Sequence, residues 1–204
     1  MTEKKKFLDP NLENKSKTIE SRIQLFEYNG LKFPLPTEIE ISESGTCNRK
    51  CSFCPRSDPN FEDKKEFISN SLHEKLCNEL KDLDYRGTIR YSGFVEPMLD
   101  KNIYNLINMT RKIIPKSNIE MVTNGDPLNI DRLKKIFISG LSKVLISVYD
   151  TEEDAVKFEK MCSEVGLKPD QYIIRRRYLP ESSDFGITLS NRAGLMENAE
   201  FKIK

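Results

Sequence analysis

No stretch of about 18 consecutive apolar residues occurs in this chain of 204, so no segment reads as a membrane-spanning helix. Nor is there an excess of charge of either sign. The 33 Lys and Arg stand against 32 Asp and Glu, and the formal net charge of +1 predicts neither strong attraction to nucleic acid nor a pull toward acidic lipid. The opening residues, MTEKKKFLDPNLENKSK, are charged from the second position and lack the apolar core of a secretory signal. A cytoplasmic location, where thiols stay reduced, is expected. Internal repeats and low-complexity tracts are also absent, histidine occurs once (His73), and cysteine occurs only five times.

What is present is an alternation of short β-type runs and amphipathic helical patterns. Pro10, Pro34 and Pro36 mark residues 1–36 as an N-terminal extension, with one helix expected over KTIESRIQLFEY, residues 17–28. From residue 37 to 204 the pattern is that of a single domain. Strands are expected in TEIEIS (37–42), TIRYSG (88–93), IEMVTNG (119–125), KVLISVYD (143–150), QYIIRRRYL (171–179) and, shorter, FGITLSN (185–191). Between them, a helix from Ser71, with Glu74 completing a capping box, is expected to bury Leu72, Leu76, Leu80 and Leu83. Further helices carry Ile103, Leu106, Ile107 and Ile113; Leu133, Ile136 and Phe137 up to Gly140; and Ala155, Phe158, Cys162 and Val165 up to Gly166. Strands alternating with helices of this length predict an α/β fold of parallel crossover units. Periodicity does not decide between an open sheet and a barrel. Polar clusters end every strand (SGTCNRKC, SGFVEP, TNGD, SVYD, SNRAG), and in a barrel all of them gather at one rim.

Three of the five cysteines crowd into SGTCNRKCSFCPRS, residues 44–57, with the spacing Cys-x-x-x-Cys-x-x-Cys at Cys47, Cys51 and Cys54. One short loop can wrap three such thiolates around a single centre. A structural zinc site closes on four ligands, whereas soft thiolate sets otherwise select iron–sulfur clusters. An ordinary four-iron cluster also takes four cysteines, so three leave one iron open to another ligand. For zinc, His73 or Cys77 would have to supply the fourth donor. Cys77 falls beside Leu76 and Leu80 and reads as a small buried hydrophobe, as does Cys162, while His73 is expected to face solvent.

CNRKCSFC, with an aromatic residue just before the third cysteine, resembles the cluster-binding loop of the radical S-adenosylmethionine (radical SAM) superfamily. The resemblance implies a partial (β/α)6 TIM-like barrel in which Cys47, Cys51 and Cys54 hold a 4Fe-4S cluster, with S-adenosylmethionine chelating the fourth iron. It further implies reductive cleavage of that cofactor to a 5′-deoxyadenosyl radical, hydrogen abstraction from a substrate, and an external electron donor of the flavodoxin or ferredoxin type. Residue by residue, Phe53 matches the aromatic whose neighbourhood meets the adenine. Gly93 and Glu96 of SGFVEP match the stretch that offers backbone carbonyls and a carboxylate to the cofactor's amine, although Phe94 and Val95 stand where the family often has glycine. Thr123 and Asn124 of TNGD would bind the cofactor's polar end, unless Asn-Gly is simply a turn. Ser147 would reach the ribose hydroxyls if Val144, Ile146 and Val148 face the helices; Asp150 is a second candidate, although Asp150 or Thr151 is also expected to cap the next helix, Asp150 being the favoured cap.

Alternation in Arg175-Arg176-Arg177 puts Arg175 and Arg177 on one face, where a cofactor carboxylate would offset their charge, unless the strand is an edge and all three are solvated. Asn191 and Arg192 of SNRAG are similar to the sixth-strand segment of members that continue into a cysteine-rich domain called SPASM. No cysteine follows Cys162, so no auxiliary cluster is expected in this chain, which reads as a compact variant, a truncated relative needing a partner chain, or half of a two-chain enzyme. Two non-enzymatic readings stay open: a metal-stabilised binding module holding zinc or an iron–sulfur centre, and an electron carrier. Tyr91, Tyr149 and Tyr178 fall near the expected rim with structural roles, and the residues identify no substrate.

Overall fold

The computed structural model describes residues 23–180, 182–184 and 186–187. They begin with an antiparallel hairpin, β1 (Leu25–Tyr28) and β2 (Leu31–Pro34), turned by Asn29 and Gly30 at φ 51° and 76°. These two positive values are what a tight primed turn demands, and Asn-Gly is the pair best suited to it. The helix expected over residues 17–28 is therefore overturned at its C-terminal end, where the turn chemistry of residues 29–30 outweighs the helical spacing of Ile23 and Phe26; residues 17–22 lie outside the described residues.

The remaining strands, β3 (Glu38–Ile41), β4 (Thr88–Tyr91), β5 (Asn118–Thr123), β6 (Lys143–Val148) and β7 (Tyr172–Arg176), form one parallel sheet in the order β3-β4-β5-β6-β7. Each new strand is added on the same side of the last. That single direction of winding belongs to a barrel; a doubly wound sheet reverses its order partway. Among the described residues the sheet does not close. Of the sixth strand expected over residues 185–191, only 186 and 187 are described, and Asn191 and Arg192 lie outside the described residues.

The helices α1 (Asn70–Asp82), α2 (Ile103–Ile113), α3 (Ile130–Ile138) and α4 (Glu152–Val165) fill the connections between strands. Their apolar stripes pack on one face of the sheet, where Ile41, Ile89, Tyr91, Ile119, Met121, Val144, Ile146, Val148 and Ile174 are buried with Ile103, Leu106, Leu133, Ile136, Ala155 and Phe158. Gly166 ends α4 at φ 78°, as the left-handed cap it was expected to be.

For α1, Cys77 and Leu80 are buried as expected and Leu76 packs against the core, but the cap, Leu72 and His73 differ from expectation. The cap is Ser69, whose hydroxyl accepts from the Leu72 amide at 3.1 Å, rather than Ser71. The buried stripe is His73, Cys77 and Leu80, leaving Leu72 more than half exposed. His73 is fully buried, the reverse of the solvent-facing position expected for it. Its ring meets the Tyr91 hydroxyl at 2.9 Å and the Met109 sulfur at 3.4 Å, and burial lowers its pKa. Partners supplied by β4 and α2 make that burial tolerable, and nothing in the sequence of α1 itself announces them.

The opposite face of the sheet is mixed: Val122, Leu145 and Ile173 align across β5, β6 and β7, and polar pairs flank them. Register aligns Glu38 with Thr88, Glu40 with Arg90, Arg90 with Glu120, and Ser147 with Arg175. Near the N-terminal ends of the strands, Arg90 bridges Glu38 at 2.5 Å and Glu120 at 2.6 Å, building an ionic floor.

Candidate functional site

The loop after β3 carries the cysteine triad across the C-terminal ends of the strands. Cys54 N–H donates to Cys51 C=O at 2.9 Å and Ser57 N–H to Cys54 C=O at 2.9 Å, so two successive turns run into a short 3-10 segment, Pro55–Ser57. Cys47, Cys51 and Cys54 are free and half-buried, whereas Cys77 and Cys162 are fully buried among helices, as expected. Burial raises the Cys47 and Cys51 thiols, with neighbouring triad sulfurs adding to the rise at both. The Cys47 sulfur also accepts from the Arg49 backbone N–H at 3.4 Å and lies 3.9 Å from the Asn124 amide nitrogen, donors suited to a thiolate.

Three free thiols in one loop are, by donor type, a set suited to an iron–sulfur centre. Among the described residues no three His, Cys, Asp or Glu side chains are gathered around one metal position. A 4Fe-4S cluster binds each thiolate at a separate iron corner. Neither His73 nor Cys77 is placed to be a fourth zinc donor, because those residues contact each other, Tyr91 and Thr110 beneath the sheet.

Arg56, two residues past Cys54 and absent from the sequence-based candidates, is almost wholly buried; it donates to the Gly45 and Phe94 carbonyls at 3.1 Å each and pairs with Asp63. It thereby ties the cysteine loop to the loop after β4. Gly93 in that second loop has φ 127°, and a Cβ there would collide with Ser42 Oγ, so glycine is required both by conformation and by close approach.

Glu96 is buried with both carboxylate oxygens engaged. Oε1 accepts from the Thr123 hydroxyl at 2.6 Å and from Met98 N–H at 3.0 Å, and Oε2 accepts from Asn124 N–H at 2.7 Å. Burial raises its pKa against the lowering by these donors. Glu96 N–H in turn donates to Thr46 C=O at 2.8 Å, directly before Cys47. Glu96, Thr123 and Asn124 are thus brought together beside the cysteine loop, forming a brace across three strand ends.

Ser147 faces the mixed side of the sheet, as expected from Val144, Ile146 and Val148 packing on the helices. Its hydroxyl accepts from Arg175 Nη2 at 2.6 Å. Arg177 donates to Gly186 C=O at 2.5 Å. Arg176 turns the other way and pairs with Glu152 at 3.1 Å and Glu159 at 2.5 Å on α4 and with Asp184 at 3.6 Å, so the triplet is not uniformly solvated. Asp150 does not cap α4. Thr151 does, accepting from Asp154 N–H at 3.3 Å, and Asp150 is released to pair with Arg49. Phe53 rests on Tyr149, and the Arg49 guanidinium lies 5.6 Å from the centroid of the Tyr149 ring. The site therefore includes Arg49, Arg56, Asp126 and Tyr149. The only sequence signal for the two arginines is their place inside and just after the cysteine spacing.

A singly wound parallel sheet with a three-thiol loop pinned over its rim is the arrangement of a barrel-class protein with its candidate site at the C-terminal ends of the strands. The family model described as the radical SAM superfamily matches residues 41–182, and the chain belongs to that superfamily, whose cofactors are a 4Fe-4S cluster and S-adenosylmethionine. It is 29% identical over 160 residues to an S-adenosyl-L-methionine-dependent 2-deoxy-scyllo-inosamine dehydrogenase of Niallia circulans, covering 78% of this chain and 60% of that protein. It is 32% identical over 123 residues to a GTP 3′,8-cyclase of Clostridium botulinum, covering 58% of this chain and 37% of that protein. The crystal structure of BtrN in complex with AdoMet and 2-DOIA superposes with a TM-score of 0.64 at 26% identity, over 80% of this chain and 63% of that one. The chain thus spans less than two thirds of the length of each of these relatives. Among the described residues no helix is long and apolar enough to cross a membrane.

Proposed function

We propose that this chain is a radical SAM enzyme whose 4Fe-4S cluster is held by Cys47, Cys51 and Cys54, with S-adenosylmethionine bound across the rim formed by the ends of β4, β5 and β6. The observation that carries the reading is the triad itself: three half-buried thiols in one loop after β3, with His73 and Cys77 committed elsewhere. When bound, the cluster and its cofactor supply a one-electron reductive cleavage and the hydrogen abstraction that follows it.

The protein's own part is placement and the exclusion of water. Phe53, packed on Tyr149, offers an apolar shelf for the adenine. Gly93 leaves its stretch of backbone open to a cofactor's amine, and Glu96 holds Thr123 and Asn124 at the height of the loop. Ser147 offers a hydroxyl to the ribose, and Arg175 and Arg177 supply cationic character for a carboxylate. Asn191 belongs to the same assignment and lies outside the described residues. Electrons come from a flavodoxin- or ferredoxin-like donor.

Anaerobic reconstitution with iron and sulfide tests this. A brown protein with four irons per chain, a reduced-cluster electron paramagnetic resonance signal that changes on adding S-adenosylmethionine, and loss of colour in each of Cys47→Ala, Cys51→Ala and Cys54→Ala are expected. A cluster spectrum indifferent to S-adenosylmethionine would mark an electron carrier, and a colourless protein holding one zinc would mark a binding module.

A further inference from the structure

Between the first two cysteines stand Asn48, Arg49 and Lys50, in backbone that is neither helix nor strand. Arg49 is nevertheless held by four hydrogen bonds to two carboxylates. Its Nε and Nη2 donate to Asp126 at 2.6 Å each, and Nη1 and Nη2 donate to Asp150 at 3.2 and 2.7 Å. Asp126 follows the end of β5 and Asp150 the end of β6. The neighbouring Asn48 adds a bond of its own to Asp126 at 2.7 Å and accepts from the Asn124 amide at 2.8 Å. Lys50, next in the chain, is exposed.

Isolated surface ion pairs contribute little, but planar bidentate geometry joined into a network is the exception. Here the guanidinium fork is matched on two edges by carboxylates that follow different strands. The bonds cross 77 and 101 positions of sequence to meet a segment only three residues long. A segment so short, with a prospective ligand at each end, has its sulfur-to-sulfur spacing set by whatever fixes its middle.

We infer that Arg49 is a positioning residue: with Asp126 and Asp150 it clamps the inter-cysteine segment to the ends of β5 and β6, and so fixes Cys47 and Cys51 at the separation a cluster requires. The inference rests on the reading that the triad holds the cluster. Lysine cannot replace this arginine, because an ammonium presents no fork and cannot engage both carboxylates edge-on. Residues that orient metal ligands typically change affinity about 10-fold to 100-fold when altered.

The test uses the full chain, reconstituted anaerobically, and follows iron release to a ferrous chelator together with the electron paramagnetic resonance signal. Far-UV circular dichroism of the cluster-free protein reports the fold. Arg49→Lys and the double variant Asp126→Asn/Asp150→Asn are each expected to release iron about 10-fold to 100-fold faster with unchanged dichroism. Combining all three should add little beyond either, since one clamp is removed in every case. Lys50→Ala should behave as the parent. A parent protein that holds its cluster while Arg49→Lys and the double variant release iron at the parent rate would overturn the clamp alone. A parent that never acquires a cluster would overturn the functional reading, and the clamp with it.

Discussion

The ring of Phe53 lies 5.3 Å from that of Tyr149, centroid to centroid, with the planes tilted by 35°. One ring belongs to the cysteine loop and the other follows β6, so this contact joins the two sides of the proposed adenine shelf. Burial raises the Tyr149 phenol against the opposing effect of its hydrogen bond with Ser147. Aromatic pairs in this geometry contribute about 0.5–1.5 kcal/mol beyond the area they bury. Tyr149→Ala should weaken S-adenosylmethionine binding roughly 3-fold to 10-fold by calorimetry on the reconstituted protein. Tyr149→Phe should stay within about 2-fold if packing is the main contribution, and a larger loss would transfer the role to the hydroxyl.

Glu96 accepts three hydrogen bonds while almost wholly buried. Truncation to alanine leaves the Asn124 N–H and the Thr123 hydroxyl without their acceptor, at about 1–3 kcal/mol for each buried donor stranded. Glu96→Ala should lower the thermal midpoint of the cluster-free protein by several degrees. Asp126→Ala, at a more exposed position, should leave that midpoint nearly unchanged, which makes the pair a comparison of brace against clamp.

The floor of the lumen makes a sharper prediction. Arg90 sits between Glu38 and Glu120, with side-chain exposures of 14%, 29% and 11% respectively. Arg90→Met strands two like charges in a poorly hydrated place, and a loss of about 3–5 kcal/mol is expected from urea unfolding. The triple change Glu38→Gln/Arg90→Met/Glu120→Gln should recover most of it, because the penalty arises from the charges left unpaired.

Glu43 gives the stability a pH dependence. It is fully buried, with Oε2 unpartnered, and burial, aided by Asp100 and Glu96, pushes its pKa from 4.5 up to about 8. A carboxyl raised in the folded state binds its proton more tightly there than in the unfolded chain. Its stabilisation is therefore complete below pH 4.5 and is lost as pH rises through about 8. His73, whose pKa is lowered, works in the opposite direction on the acid side. Glu43→Gln should flatten the decline between about pH 5 and 8 in unfolding midpoints, relative to the parent. Parallel pH profiles for parent and variant would show that Glu43 is ionised in the fold.

The helices and strands from residue 38 to 176 are legible in the sequence because the core reads directly from spacing: Ile39 and Ile41, Ile103 and Leu106, Leu133 and Ile136 all lie where alternation or helical period puts them. The cysteine loop is legible for a different reason, since Cys47, Cys51 and Cys54 are close in sequence and their proposed role depends on that closeness. Long-range partnership is not legible. Arg49 finds Asp126 and Asp150, and His73 finds Tyr91 and Thr110, across helices and strands whose local patterns are indifferent to the pairing. The hairpin at residues 25–34 escapes a reading by helical period, because an Asn-Gly pair decides the local conformation there.

The neighbouring arginines at the end of β7 point to opposite sides, Arg176 toward the carboxylates of α4 and Asp184, Arg175 toward the Ser147 hydroxyl. Sliding that strand by a single position would turn each to the other side, taking Arg176 from Glu152 and Glu159 and Arg175 from Ser147. The arrangement thus acts as a spelling check on the alignment of the last described strand: only one phase of the chain satisfies both sides at once.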